Sequence, residues 1–137
     1  MRLLAVLFAF LFANAAWNTA RADCPLDLGR GAGLVIFSDH YMIAFRSDPL
    51  RIEVGEPFAL VFNVCTKSAN AGELVAVDAQ MPEHKHTMNY HPSIVSNGDG
   101  RFRAEGLVFH MAGHWEISID VRAGEEIERL THDYYIK

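Results

Sequence analysis

The sequence predicts an all-β fold, an antiparallel β-sandwich of about seven strands, on three observations. Apolar and polar residues alternate in short runs, and Gly, Pro, Asn and Asp punctuate those runs. No segment after residue 22 carries a convincing helical period.

Residues 1–22 read as a secretory signal. Arg2 supplies a positive start, Leu3 to Phe12 is an apolar run, and Ala20-Arg21-Ala22 offers a cleavage site before Asp23. The run is short of the roughly 20 residues of a membrane span, so no span is expected once the signal is removed. Residues 23–137 form one domain of ordinary size. Residues 23–33, with Pro25, Gly29, Gly31 and Gly33, are an irregular lead-in without the Gly-Lys-Ser/Thr ending of a phosphate loop. Leu34 to Phe37 and Tyr41 to Phe45 are short strands, with turns at Asp48-Pro49 and Val54–Pro57. Phe58 to Thr66 is the strongest strand signal, with Phe58, Leu60, Phe62 and Val64 on one face. Glu73 to Met81 alternates next, with Val75, Val77, Ala79 and Met81 together. After the Asn97-Gly98-Asp99-Gly100 turn, Arg101 to Met111 and His114 to Val121 read as a hairpin that turns at Ala112-Gly113 and buries Trp115, Ile117, Ile119 and Val121. Ile127 to Ile136 is the last strand.

Two segments carry chemistry. Met81-Pro82-Glu83-His84-Lys85-His86-Thr87-Met88-Asn89-Tyr90-His91-Pro92 holds three imidazoles and two thioethers, and His110-Met111-Ala112-Gly113-His114 holds two more imidazoles and a thioether. Thioether sulfur with imidazole nitrogen suits copper, Cu(I) especially, with Cu(II) or zinc as the alternatives on imidazole alone. On an extended strand His84, His86 and Met88 share one face at a spacing of roughly 7 Å between the first two. The expected metal ligands are His84, His86, Met88, His110 and Met111, with Met81, His91 and His114 as further candidates. Met111 shares the parity of Leu107 and Phe109, which equally fits a core position. His40 and His132 read as ordinary histidines, and Tyr90 and Trp115 as core residues able to shield the site.

Of the 12 basic residues, Arg2 and Arg21 lie in residues 1–22, which hold no acid. Residues 23–137 therefore carry ten basic against 17 acidic side chains, a formal net charge of −7. Such a surface is a poor nucleic-acid partner, since phosphate binding needs clustered Lys and Arg, but it attracts cations. The two cysteines, Cys24 and Cys65, most simply form one disulfide in an oxidising compartment. The rival is a Cys65 thiolate ligand, but Thr66 to Ala71 supplies no neighbouring His or Met. Enzyme motifs are missing. The first residue after the signal is Asp23 and not a histidine, as a histidine-brace copper enzyme requires. There is no His-Glu-x-x-His, and no Ser/His/Asp set stands out.

Several strings together resemble the YtkA-like family, which is related to FixH-like proteins associated with cytochrome oxidase assembly. They are Met81-Pro82-Glu83-His84-Lys85-His86-Thr87-Met88-Asn89, Pro92, Gly98-Asp99-Gly100-Arg101-Phe102, and Gly106-Leu107-Val108-Phe109-His110-Met111-Ala112-Gly113-His114-Trp115-Glu116. The resemblance implies an immunoglobulin-like or cupredoxin-like sandwich, exported to the periplasm or cell surface. His84, His86, Met88 and Met111 match recurring motif positions. The chain departs at Thr87 and Ala112, where glycine and proline are common, and His110 and His114 are additions. The expectation is an exported copper-binding protein, a Cu(I) carrier or store serving a periplasmic or membrane cuproenzyme, monomeric or a weak homodimer. The alternative is a non-catalytic interaction or assembly module in which metal is incidental. Histidine ligands bind only when neutral, so affinity should fall below about pH 6 while thioethers keep theirs.

Overall fold

A computed structural model describes Leu28, residues 33–67 and residues 72–137. The expected signal segment, the glycine-rich lead-in apart from Leu28 and Gly33, Cys24 and the loop 68–71 lie outside the described residues. Among the described residues nine strands run in chain order: β1 (Leu34–Phe37), β2 (Tyr41–Asp48), β3 (Pro57–Thr66), β4 (Glu73–Met81), β5 (His86–Thr87), β6 (Ser93–Gly98), β7 (Arg101–Val108), β8 (Gly113–Ala123) and β9 (Glu126–Ile136). They form two antiparallel sheets, β1-β2-β3-β7-β6 and β5-β4-β8-β9.

The inward faces are those the alternation marks. Phe58, Leu60, Phe62 and Val64 on β3, Ile43 and Phe45 on β2, and Trp115, Ile117, Ile119 and Val121 on β8 are all buried. Each such side chain stabilises the fold by roughly 1.5–3 kcal/mol relative to exposure, so both sheets are held by the interleaved layer between them. Phe45 stacks on Phe62 at 5.8 Å, and the β9 histidine His132 meets Phe45 edge-on at 5.3 Å.

The structure corrects the sequence reading at four places. Arg101–Met111 and His114–Val121 are not a hairpin: β7 pairs with β3 and β6, while β8 pairs with β4 and β9. Residues 109–112 instead cross from one sheet to the other. Four residues reach about 13 Å and packed sheets lie about 10 Å apart, so the crossing fits. An arch between sheets and a hairpin within one leave the same alternation in sequence. Because β7 stops at Val108, the parity that placed Met111 in the core ends there, and Met111 is 40% exposed. On β4 a register shift between Leu74 and Ala76 puts Leu74 in the core with Val77, Ala79 and Met81, leaving Val75 half-buried. Two strands were not foreseen. β5 has two residues, and β6 carries only Ile94 and Val95 as apolar residues.

The sheet registers gather the loop 49–56, the turn 82–85, residues 88–92, the crossing 109–112 and the end of β9 at one end of the sandwich. Pro57 pairs with Val108, Gln80 with Glu116 and Gly113 with Ile136, and Gly55 N–H donates to the Phe109 carbonyl at 2.8 Å. Both histidine segments therefore lie at the same end.

The opposite end is closed by the turn between β6 and β7. Val64 N–H donates to the Gly100 carbonyl at 2.7 Å. Gly100 has φ +74, and a Cβ there would stand 2.5 Å from the Val64 carbonyl oxygen, which is backbone and cannot swing away. Gly124, at φ +76, has nothing near such a Cβ. Gly100→Ala is expected to cost at least about 2 kcal/mol, and Gly124→Ala about 1 kcal/mol from backbone strain alone. Denaturant midpoints of the two variants check this, and equal losses would contradict the close approach.

Candidate metal centre

The turn that carries the first histidines is short and tightly built. Pro82–Lys85 connect β4 to β5, His84 N–H donates to the Met81 carbonyl at 3.2 Å, and Lys85 takes a left-handed φ of 53°. The segment does not stay extended as expected from sequence, since extension resumes only at His86. His86 pairs directly with Met81, and Met88 N–H donates to the Ala79 carbonyl at 3.0 Å, so the ladder continues one rung further. Opposed residues of an antiparallel pair point to one face. Register therefore puts Met81, His86 and Met88 on one face of this ribbon, and burial separates them along it. Met81 and Met88 are buried in the core, whereas His84 and His86 are exposed. The expected exposed His-His-Met trio is thus divided, with sulfur inside and imidazole outside.

The crossing brings the second segment to meet the first. Phe109 stacks on Trp115 at 4.8 Å and 19°, and Trp115 Nε1–H donates to the Met111 carbonyl at 3.0 Å. These two contacts fix the crossing backbone. His110 then stands edge-on to Trp115 at 5.2 Å and reaches His86 at 6.3 Å, while His84 lies 6.3 Å from His86, all between ring centroids. Three imidazoles from two sheet connections form one row.

Metal–nitrogen bonds are about 2.0–2.1 Å, which places two ring centroids sharing an ion up to roughly 6.4 Å apart. Both 6.3 Å separations lie just inside that outer limit. Among the described residues, no three His, Cys, Asp or Glu side chains already converge as a ligand group. Imidazole with thioether is a donor set that fits copper, and the nearest sulfurs along the chain, Met81 opposite His86 and Met88 two residues on, are both buried.

The remaining candidates are placed elsewhere. The Met111 side chain is exposed at the crossing beside His110. His91 is exposed, and no ring contact joins it to the row among the described residues. His114 lies on the outer face of β8 and is fully engaged. Its Nε2 is 2.7 Å from Asp133 and its Nδ1 is 3.3 Å from Glu83, while its ring stacks on Tyr135 at 4.8 Å and 12°. The Asp133 hydrogen bond, with help from Glu83, raises the His114 pKa above the ordinary imidazole value despite partial desolvation. Both ring nitrogens of His114 thus face a carboxylate in this structure. His132 is held between Phe45 and Tyr134, and burial lowers its pKa. His40 bonds Glu128 at 3.1 Å. Sequence reasoning missed Glu83 and Asp133 as partners; only the place of Glu83 inside the histidine segment hinted at a role. Cys65 is not a free thiol, which removes it as a thiolate ligand, while Cys24 lies outside the described residues. No helix among the described residues is long and apolar enough to cross a membrane.

The crystal structure of a DUF4426 family protein from Pseudomonas aeruginosa has a similar fold, with a TM-score of 0.53 at 10% identity over 76% of this chain and 94% of that one. A comparison with curated proteins finds no match. The model of the YtkA-like family matches residues 37–120, which is more than half of the chain and includes both histidine segments. This chain belongs to the YtkA-like family.

Proposed function

We propose that this is an exported, non-catalytic protein that binds one copper ion, Cu(I) in its working state, at the histidine-bearing end of the sandwich. The observation that carries the reading is the meeting of His86 with His110, 24 residues further along the chain, with His84 on the other side of His86 and the buried Met81 paired to His86. Imidazole is a borderline ligand and thioether a soft one, and the combination selects copper from hard cations. Two exposed rings and one half-buried ring load and unload by ligand exchange without redox turnover, which suits a carrier or store that supplies a cuproenzyme. Zinc on the imidazoles alone is the competing metal. In the same reading residues 1–22 direct export to the periplasm or cell surface, and Cys24 and Cys65 pair there as a disulfide.

A second reading has one observation of its own. Val54, Tyr90, Met111 and Tyr135 are exposed at this same end, and exposed apolar groups near a site favour protein contact. The domain would then be an assembly module, with the metal incidental.

Trp115 is the sole tryptophan of residues 23–137 and packs on His110, so its emission reports occupancy. Residues 23–137 should take up one equivalent of copper with quenching of that emission. His86→Ala/His110→Ala should lose more than the roughly 10–100-fold that removing an outer partner of a ligand costs. Titration of both proteins under reducing and oxidising conditions checks this. Equal binding by the two sinks the site, and a partner complex that survives chelator would favour the assembly module.

Sulfur does not protonate and imidazole does, so the thioethers should matter most in acid. Met88→Leu keeps core volume at a cost under about 1.5 kcal/mol. Copper affinity of this variant should fall more steeply than wild type between about pH 7 and pH 5. Superimposable pH profiles would show that Met88 is only a core residue.

A further inference from the structure

We propose that Glu83, His114 and Asp133 form a strap that fixes the histidine-bearing turn to the β8–β9 hairpin and so sets how firmly the end site holds its ion. The inference rests on the copper reading for the ion and on geometry for the strap. Glu83 Oε1 lies 3.3 Å from His114 Nδ1, and Asp133 Oδ1 lies 2.7 Å from Nε2. The two ring nitrogens point to opposite sides, so the carboxylates diverge and the three groups cannot close on one cation. They suit a ring that donates two hydrogen bonds, with its plane set by the stack on Tyr135 at 4.8 Å.

The turn has little else to hold it. Its backbone makes the His84 N–H to Met81 bond at 3.2 Å, and β5 beyond it is two residues long. Among the described residues the Glu83–His114 contact is the one long-range side-chain link from residues 82–85. Glu83 precedes His84 directly, so freeing it frees the outermost imidazole of the row and loosens His86 two positions further on. Glu83 and His114 are positioning residues; neither touches the ion.

The charged groups facing His114 are Glu83 from the turn and Asp133 from β9, and both raise its pKa. A raised imidazole pKa means that the strap is intact at and below the ordinary imidazole range and slackens as pH rises through the raised value.

The test compares the full wild-type chain with Glu83→Ala, Glu83→Gln and, as a control, Glu53→Ala, an exposed carboxylate of the same end whose charge partner is Arg51. Amide exchange of residues 84–87 is measured without metal, and Cu(I) affinity by competition with a chelator. Glu83→Ala is expected to speed exchange at residues 84–87 without changing the centre of β8, and to weaken copper about tenfold. Glu83→Gln, which keeps an acceptor, should recover part of both, and Glu53→Ala should change neither. Unchanged exchange in Glu83→Ala overturns the strap. Faster exchange with unchanged affinity overturns its hold on the ion, and weaker affinity with unchanged exchange would make Glu83 a ligand. Absence of copper binding by the wild-type chain overturns the copper reading and the affinity claim together, whereas a copper-binding chain whose turn ignores Glu83 overturns the strap alone.

Discussion

The stack of Phe109 on Trp115 is the contact on which the site end depends. It lies where the chain leaves one sheet for the other, and both rings are fully buried. Phe109 also meets Phe58 at 4.8 Å and Tyr134 at 6.2 Å, so one ring joins the first residues of β3, the crossing and the end of β9. Aromatic pairs in such geometry add roughly 0.5–1.5 kcal/mol beyond the area they bury. The indole N–H bond to the Met111 carbonyl then fixes the path of the crossing. With that path set, His110 has one place to be, beside Trp115 and facing His86. The imidazole row is a by-product of how the sandwich closes.

Closure also explains the division between sulfur and nitrogen. Met81 and Met88 tolerate burial because a thioether is apolar and adaptable. The Met81 methyl comes within 2.7 Å of where a Cβ on Gly113 would sit, so a larger first residue of β8 would have to displace that methyl. Gly113 also has φ +132, which side chains rarely adopt. The same glycine lets the crossing turn and leaves room for Met81. The imidazoles of His84 and His86 are amphipathic and stay at the rim, in water.

Much of this was legible in the sequence and some was not. The faces of β3 and β8 could be read because period-two alternation is a direct image of a strand with one buried side. The Met81–His91 cluster stood out because no packing rule asks for that density of donors in a turn. Three things were hidden. Whether residues 101–121 make a hairpin or an arch depends on which strands pair, and alternation is blind to pairing. The slip at Leu74–Ala76 reverses parity without any Gly or Pro to mark it. The core alternative for Met111 failed because parity was carried three residues past the end of β7. The meeting of residues 84–86 with residue 110 followed from topology alone, so sequence could suggest it but not supply the distance.

The seven histidines show how one residue type is sorted by position. His132 is placed between Phe45 and Tyr134, where burial disfavours its charged form. His114 is placed between two carboxylates, which favour the charged form. His40 is bonded to Glu128. Each of these has a use for its ring that competes with a metal, through exclusion of water or through an occupied nitrogen. His91 is exposed but stands apart from the row. His84, His86 and His110 differ on both counts: among the described residues none has a hydrogen-bond partner for its ring, and each lies within ligand-sharing distance of a neighbour. A binding imidazole needs a free lone pair and a second donor nearby, and these three are the ones the fold leaves with both.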